Sequence, residues 1–234
     1  MNINNSTFLV TGGSAGIGKA TAKMLIEKGG KVAITGRDKK KLESVAKEIK
    51  AFPIFADVAN QEDVERTYEK FLNEFSHLNC LINNAGIGGG WSDISELNMK
   101  AFREVYDVNV FGAAMMGSKA AKLFKEQNNG NIVNIASTAA LKGYSKGTVY
   151  ASSKFALRGM TQCWQADLRK YNARVILINP SEVTTAFGNS ERVERKEVSN
   201  KLRSEEIAHT IVSTLEMDNR GFIPEVTVWA TNPF

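Results

Sequence analysis

TFLVTGGSAGIGKATAKMLIEK, residues 7–28, is the stretch whose reading decides the fold. TFLVTG (7–12) is a short apolar, β-branched run of the kind that forms a buried strand. GIGKATAKMLIEK (16–28) puts Ile17, Ala20, Met24 and Leu25 on one side of a helix. Between them the chain turns through Thr11-Gly12-Gly13-Ser14-Ala15-Gly16-Ile17-Gly18. Glycines let a backbone turn tightly and approach a phosphate, and the helix that follows aims its unpaired N–H groups and positive dipole end at that anion. The spacing is G-x-x-x-G-x-G, and no Gly-Lys-Ser/Thr follows, so this is not a nucleoside-triphosphate P-loop. It reads as the pyrophosphate turn of a dinucleotide site, with Gly12, Ser14, Gly16, Ile17 and Gly18 at the anion.

Outward from this turn the same alternation repeats. Strand-like runs occur at 31–35, 53–57, 79–86, 131–137, 173–179 and 223–231, and helical patterns at 38–50, 60–76, 98–127, 148–171 and 204–217. Several of the runs are apolar throughout, as strands covered on both faces must be. With no internal repeat and no linker, the pattern predicts one α/β domain over 1–234. Its expected architecture is a Rossmann-type, doubly wound parallel sheet of seven strands with helices on both faces. Ligands bind such sheets beyond the carboxyl ends of the strands, so functional residues are expected near 12, 36, 57, 84, 137 and 180.

Composition removes other classes. The chain has 234 residues, 43% of them hydrophobic, and only 4 prolines, enough to bury a sizeable core. No apolar run is long enough to span a bilayer, and the first ten residues lack the basic and apolar regions of a secretory signal. Two isolated cysteines, Cys80 and Cys163, read as reduced, buried thiols of a cytoplasmic protein. The two histidines stand apart, so no metal site is expected. The net charge of +5 is interleaved with acidic residues, as on solvated helix faces, so neither nucleic acid nor membrane is an expected partner.

The end of the second strand selects the ribose. An acid there hydrogen-bonds a 2′-hydroxyl, whereas here the strand ends Thr35-Gly36-Arg37-Asp38. Arg37 forks onto a 2′-phosphate, Lys39, Lys40 and Lys41 add positive charge, and Asp38 reads as a helix cap. NADP(H) is expected over NAD(H).

Tyr150 and Lys154 stand one helical turn apart in Y-A-S-S-K. A neighbouring ammonium stabilises a phenolate, and a tyrosine so tuned exchanges a proton with a carbonyl or alcohol oxygen. Ser137, at the end of the fifth strand, is placed to donate to the same oxygen.

With TGGSAGIG at 11–18, DV at 57–58, NNAG at 83–86, NVFG at 109–112, Ser137, YASSK at 150–154 and NPSEVTT at 179–185, the chain resembles the short-chain dehydrogenase/reductase family over nearly its whole length. That resemblance implies an NAD(P)-dependent enzyme acting on CH–OH donors. Tyr150 is then the proton donor and acceptor, Lys154 lowers its pKa and holds the nicotinamide ribose, and Ser137 polarises the substrate oxygen. Asn109 holds a water in a relay through Lys154. Asp57 and Val58 contact the adenine, Asn84, Ala85 and Gly86 line the ribose, Val183 and Thr185 contact the carboxamide, and Pro180 also binds the cofactor. The resemblance also implies a homodimer or homotetramer. Ser181 departs from the family's usual Pro-Gly and is tolerable where the backbone avoids positive φ.

The substrate segment is expected at about 186–203, short and highly charged; its basic residues read either as attracting an anionic or carrier-bound substrate or as a solvated helix face, and Trp91 is expected at the pocket's border. The core resembles 3-oxoacyl-(acyl-carrier-protein) reductases, but the C-terminus does not. Reductases of small carbonyls or hydroxy acids match equally well, and a dinucleotide-sensing regulator without catalysis is the alternative of another class.

Overall fold

The computed structural model describes residues 1–187 and 195–233. Its centre is a parallel sheet of β1 (Thr7–Val10), β2 (Lys31–Gly36), β3 (Phe52–Phe55), β4 (Cys80–Asn83), β5 (Gly130–Ile135), β6 (Ala173–Pro180) and β7 (Glu225–Val228), in the order β3-β2-β1-β4-β5-β6-β7. The expected seven-stranded doubly wound sheet is what the chain forms. The last strand is shorter than the expected 223–231 and stops at Val228.

The apolar strands are explained by the two cores they separate. Phe8, Val10, Ile82, Val133 and Ile176 face one side, where α1 (Gly16–Glu27), α2 (Lys39–Ile49) and α7 (Ser204–Glu216) add Leu25, Leu42, Ile49, Ile207 and Ile211. Leu9, Leu81, Ile132 and Val175 face the other, where α3 (Gln61–Phe75), α5 (Ala113–Gln127) and α6 (Thr148–Leu168) add Phe71, Met116, Phe124 and Leu168. Successive residues of a strand point to opposite faces, so a strand covered on both has no polar position to show.

The pattern over 98–127 is not one uniform helix. α4 (Met99–Tyr106) runs into a π-helical section, Asp107–Gly112, before α5 begins. A π section inserts an extra residue into the coil, and such insertions gather at functional sites. One thiol also differs from expectation: Cys80 is buried, but Cys163 on α6 is exposed, because it falls on the face of the helix turned from the sheet. No described helix is long and apolar enough to cross a membrane.

The strand order reverses at β1. The chain lays β2 and β3 on one flank, then crosses back to place β4 on the other, which leaves a crevice above the carboxyl ends of β1 and β4. Thr11 ties these ends together: its Oγ1 accepts from the N–H groups of Asn84 and Ala85, both at 3.0 Å. The Asn84 amide donates back to the Thr11 carbonyl at 2.9 Å.

Candidate active site

A cleft of about 1270 Å3 opens along the carboxyl edge of the sheet. It is lined by Gly12, Ser14, Gly16 and Ile17 of the first turn, by Arg37, Asp57 and Val58, by Asn84, Ala85 and Gly86, and by Pro180, Val183 and Thr185. Ser137, Tyr150 and Lys154 line its far end. Two expected residues stand behind this lining. Gly18 is buried where a Cβ would lie 2.4 Å from the Gly12 carbonyl oxygen and 2.5 Å from the Asn84 amide nitrogen, so its part is to let α1 close against the turn. Asn109 lies in the π section, one layer deeper.

The first turn fits a pyrophosphate. Gly12 and Gly16 adopt φ of 64° and 50°, a left-handed backbone that favours glycine. Ala15, at the N-cap of α1, has no side chain that can cap the helix, and the first turn carries no acid. By contrast, Asp38 caps α2 by accepting from the Lys41 N–H at 3.0 Å, and Asn60 caps α3 in the same way. A helix start below a glycine turn, with no acid in its first turn, suits an anion. Asp38 is thus the expected cap.

At the outer end, Arg37 Nη1 lies 3.4 Å from Asp57 Oδ2, both side chains about a third exposed at 36% and 35%. Ion pairs this exposed are worth little. Asp57 itself is fixed, accepting from the Ala59 N–H at 3.0 Å, whereas Arg37 is free to turn toward a stronger anion.

At the inner end, burial pushes the Tyr150 phenol well above its ordinary pKa, and a hydrogen bond with the Ser137 hydroxyl pulls it partly back. Lys154 lies beneath, its Nζ 5.7 Å from the Tyr150 ring centre and donating to the Ile135 carbonyl at 2.9 Å. Desolvation lowers the Lys154 ammonium from 10.5 to about 8. Asn109 braces this corner. Its Oδ1 accepts from the Ile87 N–H at 2.8 Å, and its Nδ2 donates to the Ile87 carbonyl at 2.9 Å and to Ser153 Oγ at 3.1 Å. Both amide hydrogens are used, so what remains for a water is the second lone pair of Oδ1.

Ser181 avoids the left-handed region: it is absent from the positive-φ residues, and it joins the edge of β7 through its N–H to the Val228 carbonyl at 2.8 Å. Of the expected substrate segment, 188–194 lies outside the described residues; Ala186, Phe187 and Arg195 line the cleft. Trp91 also lines it, as expected, together with Glu182 of the NPSEVTT stretch and with Tyr144 and Thr138, which no motif pointed to. Arg195 holds the loop after β6, donating to the carbonyls of Thr185 at 3.1 Å and Val183 at 3.0 Å.

A glycine turn at a helix N-terminus and a buried Tyr–Lys pair, at two ends of one cleft above a parallel sheet, define a dinucleotide-dependent oxidoreductase. The chain belongs to the short chain dehydrogenase family, whose profile matches residues 6–196. It is 32% identical to an uncharacterized oxidoreductase of Staphylococcus saprophyticus, over 97% of this chain and 98% of that one. Its fold is similar to an alcohol dehydrogenase from the archaeon Thermococcus sibiricus complexed with 5-hydroxy-NADP, with TM-score 0.90, 25% identity and 97% of each chain covered. It is also similar to a 3-ketoacyl-(acyl-carrier-protein) reductase from Brucella melitensis complexed with NADH, with TM-score 0.89 and 25% identity over 99% of this chain and 100% of that one. The protein is accordingly an NAD(P)-dependent oxidoreductase acting on CH–OH donors.

Proposed function

We propose that the chain is an NADP(H)-dependent carbonyl reductase or secondary-alcohol dehydrogenase, in which Tyr150 moves the proton. The observation that carries this reading is the convergence of Tyr150, Ser137 and Lys154 at one end of a cleft whose other end holds Arg37. The nicotinamide supplies or takes the hydride. In reduction, the carbonyl carbon gains that hydride while its oxygen takes the Tyr150 proton, so the C=O π bond becomes an O–H bond. Oxidation is the reverse. Ser137 Oγ donates to the same oxygen and holds it against the phenol. Lys154 stabilises the phenolate left behind, and Asn109, through Ile87 and Ser153, is a positioning residue for this corner.

Along the cleft, Gly12, Ser14, Gly16 and Ile17 hold the pyrophosphate, with Gly18 shaping their turn. Asp57 and Val58 flank the adenine, Asn84 to Gly86 the ribose, and Pro180, Val183 and Thr185 the carboxamide. The test is loss of NADPH absorbance across a panel of ketones, with NADH in parallel. Tight NADPH binding without turnover of any carbonyl would favour the sensing alternative.

Preference for NADP(H) rests on Arg37, with Lys41 beside it in the cleft and Gly36 where an acid would serve NAD(H). The similar structures' bound dinucleotides include both kinds, so the preference rests on these residues alone. A charge-assisted hydrogen bond contributes roughly 1.5–3 kcal/mol. Arg37→Ala is therefore expected to lower the NADPH-over-NADH ratio of kcat/KM by about ten- to a hundredfold. An unchanged ratio means another group reads the phosphate.

We also infer a homo-oligomer. Phe111 (56% exposed), at the entry to α5, and Phe155 (44%), on α6, present apolar rings to solvent on the helices expected to pair. Light scattering is expected to give two or four times the 25.7 kDa chain mass, and a monomer contradicts it.

A further inference from the structure

The reacting corner of the cleft is walled by aromatic rings brought from separate loops. Trp91 comes from the loop after β4, Tyr144 from that after β5, and Phe187 from that after β6. Trp91 and Phe187 flank the Tyr150 ring, each with centroids 5.5 Å from it, and Tyr144 continues the wall 6.3 Å from Trp91. Trp91, Tyr144 and Phe187 remain 41–48% exposed. Large aromatic surface left open beside a reacting hydroxyl is surface that a ligand covers.

The backbone makes room for this wall. A Cβ on Gly88 would stand 3.1 Å from the Phe187 ring and 3.2 Å from the Trp91 ring, so both close over bare main chain. Gly90, at φ +66°, sits where a Cβ would meet Val149 at 2.7 Å. The bend that turns Trp91 toward Tyr150 therefore needs glycine.

Among the described residues after β6, Arg195 and Lys201 are engaged within the protein. Arg195 donates to two loop carbonyls and pairs with Glu182 at 3.2 Å, and Lys201 donates to the same carboxylate. Of the described cations in the expected substrate segment, Arg195 at this corner is thus engaged with the loop itself.

We propose that the substrate carries an aromatic ring beside the reacting carbon, as an aryl ketone or 1-aryl alcohol, seated against Trp91 and Phe187. Ring pairs prefer offset-stacked or edge-to-face contacts, and rings tilted 55° and 58° to Tyr150 offer both a face and an edge. The inference rests on the carbonyl-reductase reading of the same cleft.

The test uses the full chain with NADPH and three probes: acetophenone, methyl cyclohexyl ketone of similar bulk, and an acetoacetyl thioester. Calorimetry of acetophenone binding to the NADP+-loaded protein runs alongside. Two ring contacts, each worth on the order of 1 kcal/mol, should favour acetophenone by about tenfold or more in kcat/KM. Trp91→Ala and Phe187→Ala should each raise KM for acetophenone by roughly fivefold or more beyond whatever change they cause for the methyl cyclohexyl ketone, and Trp91→Phe should restore most of that difference. Equal or better use of the thioester or the saturated ketone overturns the aromatic subsite but leaves the reductase reading intact. Acetophenone that binds in a Trp91-dependent way without any ketone being reduced supports the subsite and overturns the reductase. Absence of acetophenone binding overturns the subsite outright.

Discussion

Tyr150→Phe is expected to cut kcat by about a hundred- to ten-thousandfold, the span of a positioned general acid, while NADPH affinity stays within about threefold. The substitution removes one oxygen and leaves the ring between Trp91 and Phe187, each 5.5 Å away, so packing is kept. What disappears is the only proton that the proposed arrangement offers to the substrate oxygen. Ser137 remains as a donor of a hydrogen bond and accounts for residual rate. Steady-state rates with a turned-over ketone and fluorescence titration of NADPH check both halves. A kcat within about fivefold of the unaltered protein contradicts the proton role.

Lys154→Met is expected to abolish most activity and yet make the fold more stable at pH 7. Lys154 is 4% exposed and donates to a neutral carbonyl, and no carboxylate is among the causes that set its pKa. Its pKa is about 8 in the fold against an ordinary 10.5, so the unfolded chain holds that proton more tightly. The ammonium then costs the fold roughly 3 kcal/mol at pH values below 8, and the cost fades as pH rises from 8 to 10.5. Methionine fills a similar volume without charge, though it leaves the Ile135 carbonyl without its donor, at about 1–3 kcal/mol. The expected net is a gain of about 1 kcal/mol, or a Tm higher by roughly 2–4 °C at pH 7. That advantage should shrink and reverse by pH 10. Melting curves across this range check it, and a variant less stable at pH 7 with no pH trend contradicts the account. Charge placed where it weakens the fold is intelligible if the site uses it.

The parts legible in the sequence were those whose signal is local. Glycines at 12, 16 and 18 mark a turn because positive φ or close approach is required of single residues. Tyr150 and Lys154 declare themselves by one turn of helix, and each strand by its own apolar run. The parts that escaped depend on distant segments meeting. Thr11 latches β1 to β4 through hydrogen bonds spanning more than seventy residues. The aromatic wall joins loops after β4, β5 and β6, and Trp91 was expected at the pocket's border, but its meeting with Tyr144 and Phe187 is not written in any one segment. The π section at Asp107–Gly112 is invisible to a 3.6-residue period, which reads through a single inserted residue. Cys163 was misplaced because a helical pattern alone does not say which side meets the sheet.

The most direct measurement is the ionisation of the Tyr150 phenol with and without NADP+, followed by ultraviolet difference absorbance with Tyr150→Phe as the blank. In the free cleft, burial holds the phenol above its ordinary range. With the dinucleotide bound, phenolate and Lys154 ammonium each favour the other's charged form, and the account predicts that the phenol titrates below 10, the ordinary value for tyrosine. A phenol that stays above that value in the loaded protein contradicts it.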